Sequence, residues 1–262
     1  GADEQVIGFA FDGTGFGTDG SIWGGEVMVA GYGNFERVSH LRTTPLPGGD
    51  AAVRRPYRVA LAHLWAAGLP WDGDLAPVRH APEVERQVLA RQLARNVQCA
   101  PTSSMGRLFD AVSSLLGVQH VASYEAQAAM ELEWTADGST EPRDYRFDIT
   151  PDDFDPAPVL RALIADARRG ILVADMAAGF HRAVATLIAE QSRTLCAATG
   201  IATVALSGGV FQNVHLVRLV REALRTDRLR VLTHRVVPPN DGGLALGQAA
   251  IAGYGKQGRR RA

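Results

Sequence analysis

Within Phe9 to Glu26, the stretch FAFDGTGFGTDGSIWGGE carries six glycines and three acids in eighteen residues. Residues without a Cβ let backbone N–H groups converge on an anion, so Gly13, Gly15 and Gly17 suit a phosphate-facing turn. Asp12, at the end of the apolar run Val6 to Phe11, is placed to hold a metal or a metal-bound water that phosphates share. A glycine-rich hairpin with turn-forming aspartates accounts for this stretch equally well. Two further clusters bear on the choice. Ser207-Gly208-Gly209 follows an apolar strand pattern, and Asn240-Asp241-Gly242-Gly243 opens a small-residue helix. Ligands collect at the carboxyl ends of strands in open α/β sheets, and helix N-termini favour anions. Taken singly, Gly208-Gly209 is also a tight strand-to-helix turn, and Asn240 is also a helix cap entered through Pro238-Pro239. Together the three loops suggest one nucleotide. The first is no dinucleotide fingerprint, because it leads into a second strand, and it lacks the lysine of a P-loop.

The elements that must position these loops follow from periodicity. Val6–Phe11, Glu26–Ala30 and Glu36–Leu41 read as three strands, with turns at 12–25 and 31–33, which favours an antiparallel meander. From Ala51 the spacing turns helical: Tyr57–Ala67, Glu83–Ala94 and Gly106–Leu116, the last introduced by Thr102-Ser103-Ser104. Residues 134–156 read as a loop around a short strand, Tyr145–Ile149. A long helix over Ile171–Thr199 stops at Gly200. A βαβα run ends the chain: Ile201–Leu206, Val214–Leu224, Arg230–Thr233 and Gly243–Gly253. Its two strands are expected to pair in parallel through a right-handed crossover.

The order β-β-β-α-β-α-β-α with a helical insertion matches one lobe of the actin, hexokinase and heat-shock ATPase architecture, an α/β fold. The implied organisation is a meander with the phosphate turn over 1–50, a helical insertion over 51–170, the βαβα core over 171–253 and a basic tail over 254–262. A formal net charge of -1, with 21% charged and 46% hydrophobic residues, gives no support to nucleic acid or a membrane surface as partner. No apolar run reaches the length of a membrane span, and the expected location is the cytoplasm. Cys99 and Cys196, the only cysteines, read as buried free thiols.

The segments DGTGFGTDGSIWGGE, LPGGDAAVRRPYR, TSSMGRLFDAVSSLLG, ALSGGVFQN and VPPNDGGLALGQAA together closely resemble the C-terminal domain of HypF, the carbamoyltransferase of nickel-iron hydrogenase maturation. They run in family order from residue 6 to about residue 253. That domain is similar to the tRNA threonylcarbamoyl-transferase family and shares the actin-like fold. The resemblance implies that upstream domains make carbamoyl adenylate from carbamoyl phosphate and ATP. The actin-like domain then passes the carbamoyl group to the C-terminal cysteine of HypE, for synthesis of the iron-bound cyanide.

By carry-over, Asp12, Gly13, Gly15 and Gly17 form the phosphate-facing turn, and Ser207, Gly208, Gly209 and Asn213 lie against the nucleoside. Asp241 ligates a divalent metal (Fe, Zn or Mg), with Asn240 and Gly242 shaping its loop. Glu26 is a ribose candidate and Arg107 a phosphate candidate, both equally readable as structural ion-pair partners. Ser103 and Ser104 either contact ligand or cap a helix, and His181 packs. One departure stands out. The family holds its metal with two histidines four residues apart on a helix, and none of His40, His63, His80, His120, His181, His215 and His234 forms such a pair. The expectation is therefore a fragment whose first lobe is missing and whose site is half complete, with the other HypF domains as partners. An antibiotic-type O-carbamoyltransferase and a non-catalytic nucleotide- or partner-binding lobe are the alternatives.

Overall fold

In a computed structural model, which describes residues 4–259, β1 (Val6–Phe16), β2 (Ile22–Ala30) and β3 (Phe35–Leu41) form the expected antiparallel meander. Next come β4 (Thr44–Pro47), α1 (Asp50–Val53), α2 (Pro56–Ala66), α3 (Ala76–His80), α4 (Glu83–Ala94), β5 (Cys99–Thr102), α5 (Met105–Leu115) and α6 (Gln127–Ala136). The chain continues through β6 (Asp148–Ile149), β7 (Asp153–Asp155), α7 (Ala157–Arg168), α8 (Val173–Thr199) and β8 (Thr203–Ser207). After a 3-10 turn at Gly209–Gln212 come α9 (Val214–Ala223), β9 (Arg230–Leu232), a second such turn at Asp241–Gly243 and α10 (Leu244–Arg259). The basic tail expected from residue 254 thus begins inside a helix, and 260–262 lie outside the described residues.

One mixed sheet runs in the order β6-β7-β3-β2-β1-β8-β9, with β5 beside the start of β2 and β4 paired to β5. The parallel pairs β1–β8 and β8–β9 place the ends of β1 and β8 on one edge, with Ala10 opposite Ser207. Segment 51–170 is not purely helical. It contributes β5, and β6–β7 extend the sheet at β3, where Arg42 binds Asp153 and Asp155.

Alternation along β1 sends Ile7, Phe9 and Phe11 into a core shared with α5 and α8. Burial of large aromatics is worth roughly 2–3 kcal/mol each. Phe11 also stacks on Phe211 with centroids 5.5 Å apart, which pulls the turn after β8 over the end of β1. Helix α8 ends where Gly200 adopts φ 74°, a left-handed cap that a side chain resists. Cys99 and Cys196 are free but only half-buried, and burial pushes the Cys99 thiol up.

Candidate functional site

The glycine-rich stretch is mostly strand. Strand β1 continues to Phe16, and its ladder with β2 is broken between Phe11 and Gly15, so Asp12, Gly13 and Thr14 form a bulge facing Gly24. Gly24 has φ 155° and sits under the bulge, where a Cβ would meet the Asp12 carbonyl oxygen at 2.5 Å. Gly15 and Gly17 do not join the bulge. Gly15 pairs with Trp23, and a Cβ on Gly17 would strike the Ser21 carbonyl at 2.2 Å, so both glycines serve the hairpin. Asp19 fixes the hairpin tip by accepting from Ser21, Trp23 Nε1 and Arg37, and these bonds hold its carboxyl below the usual range.

Three loops meet at the bulge. A Cβ placed on Gly209 would lie 3.1 Å from Asp12 Oδ1 and 3.9 Å from Asn240 Cβ, so the end of β1, the turn after β8 and the turn before α10 converge. Gly208 has φ 99°, and its N–H donates to the Pro239 carbonyl at 2.9 Å, which joins the second and third loops. Asp12 Oδ1 accepts the Gly13 N–H at 2.7 Å, and Asn240 Oδ1 accepts the Gly242 N–H at 3.1 Å. Asp241 is exposed, with no ion pair among the described residues. Ser207 Oγ lies 3.2 Å from Nε2 of His234, beyond the end of β9. His234 escaped the sequence reading because a lone histidine after a short strand carries no spacing signal.

The remaining candidates turn inward. Glu26 is 1% exposed, and its carboxylate accepts the N–H groups of Gly24 (2.5 Å) and Gly25 (2.8 Å) and the Ser103 hydroxyl. Burial raises its pKa, against the opposing effect of those bonds and of Arg37 3.9 Å away. Asn213 caps α9 by accepting the Leu216 N–H at 2.7 Å, while its amide nitrogen meets Nε2 of His181 at 3.0 Å. Both ends of its amide are thereby engaged within the fold. His181 is buried and pushed down to about 4, chiefly by desolvation, so it is a neutral core group, as its helical setting suggested. Ser104 caps α5 by accepting the Arg107 N–H at 3.1 Å, and its hydroxyl donates to the carbonyls of the bulge, at 2.6 Å to Asp12 and 2.9 Å to Gly13. Arg107 lies against Gly13, beside Asp110.

The described residues contain no group of three or more His, Cys, Asp or Glu able to hold a metal. A cavity of about 470 Å³ lined by Gly48, Gly49, Asn96, Gln98, Cys99 and Ala100 opens at the start of β5, the end away from Ser103. No described helix is long and apolar enough to cross a membrane.

Residues 8–248 match the family model described as carbamoyltransferase, Kae1-like domain, second subdomain. The chain belongs to this family. Its sequence is 42% identical to the carbamoyltransferase HypF of Rhodobacter capsulatus, covering 95% of this chain and 32% of that protein. It is 38% identical to carbamoyltransferase HypF2 of Cupriavidus necator, covering 96% and 34%. A crystal structure of full-length HypF in its phosphate- and nucleotide-bound form superposes with a TM-score of 0.87 at 38% identity, over 96% of this chain and 40% of that one. The HypF of T. kodakarensis does so with a TM-score of 0.87 at 30% identity, over 97% and 34%. The chain thus spans about a third of these curated HypF relatives. The fold is the α/β, actin-like lobe expected from the element order, and the bulge, the Gly208 turn and the Asn240 turn are its convergent edge.

Proposed function

We propose that this chain is the second half of a carbamoyl-transfer site, binding the phosphate end of carbamoyl adenylate, or of ATP, at the bulge of β1 while the carbamoyl group passes to a thiol. The convergence of Asp12, Gly209 and Asn240 carries this reading, supported by the family membership. A thiolate, on this reading the C-terminal cysteine of HypE, attacks the carbamoyl carbon. The C–S bond forms, the bond to the phosphate oxygen breaks, and AMP leaves with the electron pair. Asp12–Gly13 and Asn240–Gly242 hold the departing phosphate in line, Gly208 and Gly209 let the backbone approach closely, and Ser207 borders the nucleoside.

A divalent metal, whether Fe, Zn or Mg, suits this donor set only in part. Asp12 and Asp241 supply hard oxygen ligands, and among the described residues no third donor joins them. Asp12 and Asp241 would hold such a metal from this side, and the chemistry it would supply is polarisation of the carbonyl and phosphate oxygens. Its remaining ligands, like the adenylate-forming chemistry, belong to other domains of the HypF-type protein, which are therefore partners of this lobe. The incomplete ligand set also favours a second reading, a nucleotide-binding lobe without activity of its own.

The test is mass spectrometry of the HypE C-terminal peptide after reaction with the full-length protein. Wild type adds one carbamoyl group, and Asp12→Asn and Asp241→Asn each abolish it while adenylate formation persists. Undiminished transfer by both variants removes the reading, and transfer to a small alcohol with none to HypE moves it to the O-carbamoyltransferase class.

A further inference from the structure

Behind the bulge sits a charge that packing does not explain. The Arg107 side chain is 7% exposed and that of Asp110, one turn further along α5, is 4% exposed. Nη1 of Arg107 lies 2.9 Å from Asp110 Oδ2, yet off the N–H direction, and neither Nε nor Nη1 makes a directed hydrogen bond. The other end of the guanidinium faces the bulge, where a Cβ on Gly13 would lie 2.9 Å from Nη2. Gly106 presses on the same backbone, and the capped N-terminus of α5 points the same way through Ser104. Removing an ion pair from water costs several kcal/mol per ion, and an apolar residue of similar volume would fill this space more cheaply. What an apolar residue cannot supply is a field in a poorly screened interior.

Resting on the phosphate-binding reading above, we propose that Arg107 is a positioning residue acting through the Gly13 backbone: it and Asp110 form a buried dipole whose positive end sets the anion affinity of the bulge. The ligand it serves is the oligophosphate part of a nucleotide, whatever the base. Asp110 sits at the far side of the guanidinium as a partial counter-charge, and burial pushes its carboxyl up to about 6. Gly13 is the intermediary because its missing Cβ is what lets the guanidinium come up against the chain.

Calorimetric titration of the full chain with inorganic tripolyphosphate, ATP and adenosine tests this, with thermal melts on every variant. Arg107→Met is expected to weaken tripolyphosphate and ATP about tenfold and adenosine not at all, and Arg107→Lys to recover most of the loss. Asp110→Asn, which leaves the guanidinium uncompensated, is expected to tighten tripolyphosphate about threefold, a gain that a merely structural pair would not give. Should Arg107→Met fail to fold, Asp110→Asn and Arg107→Lys carry the decision. Equal losses for all three ligands, or no tightening in Asp110→Asn, overturn the proposal while leaving the site reading intact. A wild-type chain that binds neither tripolyphosphate nor ATP sinks the site reading, and this inference with it.

Discussion

The wall of the cradle at Asp12–Gly13 rests on Ser103, Ser104, Arg107 and Asp110, all buried, whereas the wall at Asn240–Gly243 leaves Asp241 and Gly242 exposed. The first is held by side chains locked into the core. The second is held by backbone bonds, Gly208 N–H to Pro239 and Gly243 N–H to Asn240, each at 2.9 Å. Beyond it, Leu244, Leu246 and Ile251 of α10 are more than half exposed. Exposed hydrogen bonds with little apolar burial mark the low-stability end of a structure. One wall is thus the more rigid, and on the proposed function the other is the part that a ligand or a neighbouring domain would fix. The comparison teaches where mutations act through folding and where they act through binding alone.

The largest effect should come at the joint between the walls. Gly208→Ala places a Cβ 2.2 Å from the Phe11 carbonyl at φ 99°, and the loss is expected to be about 4 kcal/mol, read as a collapse of the urea midpoint. Survival of this variant would show that the joint yields and the first wall is not rigid.

Acid should act on the rigid side next. Burial holds His63 and His181 down at about 4, so they contribute stability present above pH 6.5 and lost as pH falls through 4. Each is worth about 3 kcal/mol at full effect. Asp110 works the other way: raised to about 6, its contribution is full below the ordinary carboxylate pKa and lost as pH rises through 6. Melts between pH 7 and 4 should therefore show a net loss that steepens in Asp110→Asn, and an unchanged slope in that variant would count against the buried pair.

Glu26→Gln, which gives two backbone N–H groups and Ser103 a poorer acceptor, is expected to cost about 2 kcal/mol in urea unfolding. The smallest changes belong to the loose wall. Asp241→Asn and His234→Ala should alter stability by less than about 0.5 kcal/mol. A loss of stability as large as that of Glu26→Gln would erase the distinction between the walls.

Periodicity and breaker residues located the meander, the long helix and its Gly200 stop, and the βαβα run, because those signals are local. Short strands were harder. β4 and β5 have four residues each, and their pairing joins segments separated by four helices. Within the site, the sequence pointed to Asp12, Gly208 and Asn240, whose turn chemistry is written in their own residue types. The hydrogen-bond partners of Glu26 and Asn213 and the neighbours of Gly15 and Gly17 were not legible, since the direction of a polar side chain, or the neighbour a glycine admits, depends on partners as distant as Ser103 and His181. TSSMGR was recognisable as a motif, but its work as a buckle behind the bulge appears only where Gly106 meets Gly13.

The parallel pairing of β1 with β8 joins Ile7 to Val204. Loop-closure entropy must be met before such a contact can stabilise anything, and pairings this remote in sequence slow folding. During synthesis, the first hairpin emerges long before its partner strand, with Phe9 and Phe11 lacking the core that later covers them. The convergence of the three loops is therefore among the last parts of the chain to form, and a nascent protein interrupted before β8 holds the bulge without the loops that face it.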